Sequence, residues 1–283
     1  MRAWLQFIRV GLLPTAISNV AIGIALTQPA PDSPLRVAGV LGLGALLYAF
    51  GMGLNDAIDH SIDETKHPDR PLPSGRLSRR LAVGSLGALL LAVAAIAALL
   101  GPVALMITAS AVVCIAIYDG GAKDHPLLGP LSMGSVRACL PLLGAAGVGA
   151  SPWQAPVLLA ATGLLGYVAL LTAHSRTEDD ARRWNPRKVL VGWVGAWAGA
   201  ALVAADAPSF PFLGATAWTF TLGWVVRCNL ASTGSKPRPF LTTLGLLQGL
   251  FALDLAMALT YDRPTWAAVS AGLALSTVLT RRS

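Results

Sequence analysis

The feature that most constrains this chain is a succession of apolar runs, each close to the roughly 20 residues that a helix needs to cross a bilayer. They lie at 4–28, 35–58, 80–100, 102–118, 127–150, 153–174, 187–206, 210–230, 239–260 and 264–281. Only 12% of the 283 residues are charged, against about 25% in a soluble domain. A soluble fold would need a core larger than this chain can wrap. The runs therefore predict an all-α membrane protein, nine to ten transmembrane helices in a single domain over 1–283. Gly101-Pro102, Ser151-Pro152 and Ala207-Pro208 mark tight turns between spans. The first run keeps Arg9 and lacks a small-residue cleavage site, so it reads as a retained helix. Cys114, Cys139 and Cys228 sit in or beside apolar runs at spacings that match no metal or disulfide pattern, and read as packing residues.

The net charge of +7 is explained by topology, and no nucleic-acid partner is expected. With the N-terminus cytoplasmic and ten spans, seventeen Lys and Arg fall inside and only Arg36 and Arg263 outside. Arg9 and Arg137 lie within spans. The expected location is the inner membrane of a bacterium, with the N-terminus and the active-site loops cytoplasmic. Most acids and all four histidines (His60, His67, His125 and His174) fall on that same side. The positive-inside rule does not require this, because acids contribute little to topology. Acids and bases gathered at three loops point to a site at one mouth of the bundle.

The first motif is Asn55-Asp56-Ala57-Ile58-Asp59-His60-Ser61-Ile62-Asp63, at the end of the second run. Residues three and four apart share a helix face. Asn55, Asp59 and Asp63 make one stripe, with Asp56 beside Asp59. Carboxylates on one stripe repel unless a cation joins them, and hard cations such as Mg²⁺ take oxygen ligands and bridge them to phosphates. The next segment, His67 to Arg76, holds three prolines and reads as a stiff loop that returns Arg70 and Arg76 towards the stripe. Arg70 is suited to gripping phosphate in a fork. After the fourth run, Tyr118-Asp119-Gly120-Gly121-Ala122-Lys123 permits a sharp turn. It offers Lys123 to a phosphate and Asp119 as a further candidate metal ligand. Arg137, half-way along the next run, needs an anionic partner, either a protein acid or a ligand. Around Glu178 and Asp179, two acids could hold a second metal. Arg182 and Arg183 four residues on are also the pattern of plain intrahelical ion pairs. Asp254 is a lone acid in the ninth run, and nothing near it in sequence names its partner.

Asn55-Asp56-x-x-Asp59-x-x-x-Asp63, then Arg70-Pro71-Leu72 and Ser74-Gly75-Arg76, resembles the first signature of the UbiA superfamily of intramembrane prenyltransferases. Tyr118, Lys123 and Pro126-Leu127-Leu128-Gly129 extend the resemblance, and Met133-Gly134-x-x-Arg137 with Ser175-Arg176-x-Glu178 is similar to its EboC-like branch. The resemblance implies a bundle of nine helices around a lipid-accessible cavity. It also implies an isoprenyl diphosphate substrate held with Mg²⁺. Asp59, Asp63, Lys123 and Tyr118 are then the expected catalytic residues. Asn55, Arg70, Lys123, Arg137 and Arg176 would bind the diphosphate. Asn55, Asp56, Asp59, Asp63, Glu178 and Asp179 would hold metal. One departure stands out. The family's second signature is D-x-x-x-D, and aligned on Asp179 its second aspartate is Arg183 here.

The expected reaction is ionisation of the diphosphate and transfer of the prenyl group to a hydrophobic acceptor, whose identity the sequence leaves unknown. Two rivals remain at this point. One is cyclisation of the cation without an acceptor, the reaction of a terpene cyclase. The other is binding or transport of a polyprenyl lipid without chemistry.

Overall fold

A computed structural model describes residues 2–31, 33–175, 239–261 and 263–279. The expected spans at 187–206 and 210–230 and the expected site residues Arg176, Glu178 and Asp179 lie outside them. In chain order the described elements are α1 (Arg2–Phe7), a 3-10 turn (Val10–Leu12), α2 (Leu13–Ala25), α3 (Pro34–Ile58) and α4 (His60–Lys66). There follow α5 (Arg79–Leu100), α6 (Pro102–Asp119), a second 3-10 turn (Ala122–Asp124), α7 (Leu128–Gly147), α8 (Ala155–Ser175), α9 (Pro239–Thr260) and α10 (Pro264–Leu279).

Helices α3, α5, α6 and α8 are long and apolar enough to cross a membrane. Local signals set their ends. The Ser33 and Ser78 side chains accept from the amides of Arg36 and Leu81 at the starts of α3 and α5, both at 3.3 Å. Gly101, at φ 127°, is the single residue between α5 and α6, a backbone that a side chain would strain. The outer faces of these two helices carry Leu91 (74% exposed), Leu99 (84%) and Met106 (63%). Such a face is a liability in water and a match for lipid hydrocarbon. The chain is an integral membrane protein.

The first apolar run is not one helix, contrary to the sequence expectation. It breaks at Arg9, which takes a left-handed conformation (φ 48°, ψ 50°) between α1 and the first 3-10 turn. That conformation is unfavourable for a residue with a Cβ and persists where surrounding contacts hold it. Here the Arg9 guanidinium pairs with Asp56 at 2.6 Å, and the Tyr48 hydroxyl donates to the Arg9 carbonyl at 3.4 Å. Helix α2 restarts with Pro14 in its first turn.

Among the described helices α2 is central. Ala16, Ser18, Asn19 and Val20 are fully buried, and the helix packs on α3, α7, α9 and α10. Its crossing with α7 is backbone against backbone. A Cβ at Gly23 would lie 2.0 Å from the Pro141 carbonyl oxygen, and one at Gly144 would lie 2.2 Å from that of Val20. Small residues serve helix pairs in lipid in this way, where close packing replaces the hydrophobic effect.

Candidate active site

Two loops bring basic side chains onto the acidic stripe. In the first, Leu72 and Leu77 are each only 5% exposed and anchor the 67–78 segment in the core. The Arg70 amide donates to the His67 carbonyl and the Ser74 amide to the Arg70 carbonyl, both at 3.0 Å, while Gly75 turns at φ 73°. This fold of the loop aims Arg70 inwards: its Nη1 lies 2.6 Å from Asp63 Oδ2 and 3.7 Å from Asp56 Oδ1. Arg76 goes elsewhere, to Gln6 Oε1 at 2.9 Å, Ser74 and the Asp69 carbonyl. The expectation that both arginines return to the stripe therefore holds for Arg70 alone.

In the second loop, Gly121 turns at φ 127°, and His125 Nδ1 accepts from the amides of Leu127 at 3.2 Å and Leu128 at 3.1 Å at the start of α7. Lys123 is thereby delivered to Asp59 in a direct ion pair. Gly129 lets α7 approach this turn, because a Cβ there would lie 2.8 Å from the Ala122 carbonyl oxygen. Gly129→Ala should push the turn aside. We expect any reaction that uses Lys123 to slow by about tenfold to a hundredfold, as when a reacting group is displaced by about 1 Å. Because the atom that the new Cβ meets is backbone, the variant's melting temperature should fall as well, which fluorescence-monitored thermal unfolding in detergent would check.

The stripe itself is nearly continuous. Helix α3 ends at Ile58, Asp59 is the junction, and α4 follows, with the Asp59 and Asp63 amides donating to the Asn55 and Asp59 carbonyls at 2.9 and 2.8 Å. Its side chains divide between two neighbourhoods. Asp56 and Asp63, 4% and 3% exposed, meet Arg9 and Arg70. Asn55 and Asp59 turn to α6, where the Asn55 amide nitrogen lies 2.8 Å from Asp119 Oδ1 and 3.3 Å from Asp59 Oδ2. Asp119 is 4% exposed. Buried carboxylates require such partners, because desolvation opposes the charged form. Among the described residues no three Asp, Glu, His or Cys side chains converge as a metal cluster. Asn55 joins Asp59 to Asp119, and Arg70 joins Asp63 to Asp56.

Below this mouth lies a cavity of about 140 Å³. Asn55, Tyr118 and Asp119 line it beside Leu47, Met52, Ile115 and Leu140, and Arg9, Tyr48 and Arg137 also face it. Tyr118 thus shares the cavity wall with Asn55 and Asp119. Arg137 shares the cavity but packs over the Tyr48 ring, 5.8 Å from its centre. Tyr48 is two helical turns, about 10 Å, below Asn55. A second hollow of about 330 Å³ opens beside Asp56, Lys66, His67 and Arg70, and Arg9 borders both.

Sequence reasoning gave Arg9 no role beyond that of a charge inside a span, and singled out neither Tyr48 nor Asn19. Arg9 did carry a signal, as a base retained in an apolar run. Asp254 also acquires partners: its Oδ2 accepts from Ser18 at 2.5 Å and Asn19 at 2.8 Å, both on α2.

A family model described as the UbiA prenyltransferase family matches residues 16–244. A digeranylgeranylglyceryl phosphate synthase of Methanopyrus kandleri is 32% identical over 174 residues, 60% of this chain and 60% of that protein. The chain thus spans about three fifths of that curated relative. Among solved structures, a digeranylgeranylglyceryl phosphate synthase superposes with a TM-score of 0.69 at 18% identity, covering 92% of this chain and 98% of the other. A UbiA homolog from Archaeoglobus fulgidus, bound to GPP and Mg²⁺, gives 0.67 at 16% identity, covering 92% and 99%. The fold is shared with these structures, and with the family model matched over most of its length this chain belongs to the UbiA prenyltransferase family.

Proposed function

We propose that this protein is an intramembrane prenyltransferase: with Mg²⁺, it ionises a prenyl diphosphate and transfers the prenyl group to a hydrophobic acceptor. The observation that carries the reading is the meeting of Lys123 with Asp59, and of Asn55 with Asp59 and Asp119, at the mouth of an apolar cavity. Charge supports the cation. In this cluster four carboxylates (Asp56, Asp59, Asp63 and Asp119) face three bases (Arg9, Arg70 and Lys123). A surplus of negative charge does not bind a diphosphate unaided. The donor set fits Mg²⁺, since all the candidate ligands are hard oxygens. Asn55, Asp59 and Asp119 are the residues that would hold it, with Asp56 and Asp63 behind them. When bound, the metal neutralises the oxygens of the leaving group. Glu178, Asp179 and Arg176 are proposed as the family's second diphosphate-metal site, reduced to a single Asp–Glu pair.

In this reading Lys123 and Arg70 stabilise the charge that builds on the diphosphate as the allylic C–O bond breaks. The bonding electron pair leaves with the diphosphate. Tyr118 orients it, and the apolar walls of Leu47, Met52 and Ile115 keep water from the cation. The acceptor's nucleophile forms the new bond, and its proton leaves with the diphosphate. The names of the relatives support a glyceryl phosphate carrying a prenyl chain as the first acceptor to try. The single domain 1–283 would lie in a bacterial inner membrane with both loops cytoplasmic, an orientation supported by the distribution of Lys and Arg.

The test is incubation of the purified chain with geranyl, farnesyl and geranylgeranyl diphosphates and Mg²⁺. Diphosphate release that depends on added geranylgeranylglyceryl phosphate is the expected result. A hydrocarbon product without acceptor would replace transfer by cyclisation. Binding without release would make the protein a lipid carrier.

A further inference from the structure

A cavity that served only a prenyl tail would be walled by hydrocarbon, yet the deep end of this one carries a guanidinium. One Arg137 N–H donates to Asn19 Oδ1 at 3.0 Å, and the guanidinium lies against the face of Tyr48. The other end of the Asn19 amide donates to Asp254 Oδ2 at 2.8 Å. Ser18 also donates to that oxygen, at 2.5 Å, and lies 3.3 Å from Ser270. Ser18, Asn19, Asp254 and Ser270 are at most 2% exposed. A carboxylate only accepts hydrogen bonds, so Asp254 turns the amide nitrogen of Asn19 towards itself and the amide oxygen towards Arg137. Asp254 thereby orients a cation that it does not touch. Buried polar groups at membrane depth are rare and functional, and here four helices, α2, α7, α9 and α10, supply them.

The depth of the guanidinium determines what it can hold. Asn55 marks the level of the departing diphosphate, and Tyr48 lies about 10 Å below it. A donor held at the mouth places its reacting carbon between the two levels. A cation at the lower level serves the second substrate. We propose that Arg137 binds an oxyanion of the acceptor, a phosphate or a carboxylate, about one glycerol's length from the nucleophile, and that Asp254 is its positioning residue. This rests on the prenyltransferase reading and goes beyond it in assigning the residues that hold the acceptor's charged group.

Three acceptors with the same free hydroxyl test it: geranylgeranylglycerol, its phosphate and its hemisuccinate. With geranylgeranyl diphosphate and Mg²⁺, the wild-type KM for at least one anionic acceptor should be about tenfold or more below that for the neutral one, the scale of one charge-assisted contact. The arm that gains, phosphate or carboxylate, identifies the source of the oxyanion. Arg137→Gln should erase the preference, and Arg137→Lys, which keeps the charge, should recover part of it. Asp254→Asn, free to let the Asn19 amide reverse, should raise KM for the anionic acceptor about threefold to tenfold with kcat little changed, the scale of one neutral hydrogen bond. Equal KM values for charged and neutral acceptors, or a preference that survives Arg137→Gln, would overturn the assignment. If no diphosphate is released at all, the prenyltransferase reading fails separately. The same ligands titrated by calorimetry then decide the matter: a loss of phosphate or hemisuccinate affinity in Arg137→Gln upholds the Arg137 site, and unchanged affinities reject it.

Discussion

Asp59→Ala is expected to lower Mg²⁺-dependent diphosphate release by about a hundredfold to a thousandfold, the effect of removing one preorganised electrostatic group. The reasoning turns on a sign. Asp59 is an anion placed where another anion must bind, in direct contact with Lys123 and 3.3 Å from the Asn55 amide nitrogen. If the diphosphate bound without metal, removing Asp59 would relieve repulsion and free Lys123 for the ligand. Affinity for the diphosphate would then rise. If metal bridges the two, removing a ligand of the bridge lowers both affinity and rate. The same variant therefore gives opposite results with and without Mg²⁺. Inorganic diphosphate should bind Asp59→Ala more tightly than wild type in EDTA, and more weakly in Mg²⁺. Calorimetry in the two buffers reads this directly. A variant that binds more tightly in both would remove Asp59 from the metal site and leave it only as the ion-pair partner of Lys123.

Gly144→Ala should destabilise the protein more than any single change at its surface. The new Cβ would sit 2.2 Å from the Val20 carbonyl oxygen and 3.1 Å from the Ile24 amide nitrogen. Both are backbone atoms of α2, so no rotamer change relieves the clash. The two helices must separate, and we expect a cost at or above the upper end of the roughly 1–3 kcal/mol seen for overpacked cores. Gly163→Ala, on α8, meets nothing within 4 Å and should be neutral, or stabilising by up to about 1 kcal/mol through helix propensity. Thermal unfolding of the two variants in one detergent separates a packing effect from a propensity effect. Separation of α2 from α7 would also draw Asn19 away from Arg137, so acceptor use should suffer in Gly144→Ala beyond its loss of folded protein. Near-equal melting temperatures for the two variants would mean that α2 and α7 do not cross at Gly23 and Gly144.

The local half of the site was legible because it is local. Asn55, Asp59 and Asp63 recur at helical spacing within one segment. Pro68, Pro71 and Pro73 stiffen the loop that carries Arg70, and Gly120-Gly121 turns the chain just before Lys123. A helix whose residues share a face every three to four positions presents such a stripe in any helical fold. The break at Arg9 was not legible. Apolar composition predicts a continuous span, whereas the left-handed residue is held by Asp56, 47 positions away. Arg76 shows the same limit: its loop was read correctly, but Gln6, 70 positions earlier, decides where its side chain goes.

By itself the sequence determined that this chain lives in a bilayer as helices. Its apolar runs are long enough to span, and its bases and acids collect on one side. It also determined that the acidic stripe and the Lys123 loop lie at the same end of the bundle, because alternating spans return their connections to one face. Only the tertiary structure decided what each charge meets. Asp254 is joined to Asn19, 235 positions away, and through it to Arg137. In lipid, contacts of this kind depend on how closely helices can approach, and the glycines that allow α2 to touch α7 act through the backbone of a partner that no local pattern names.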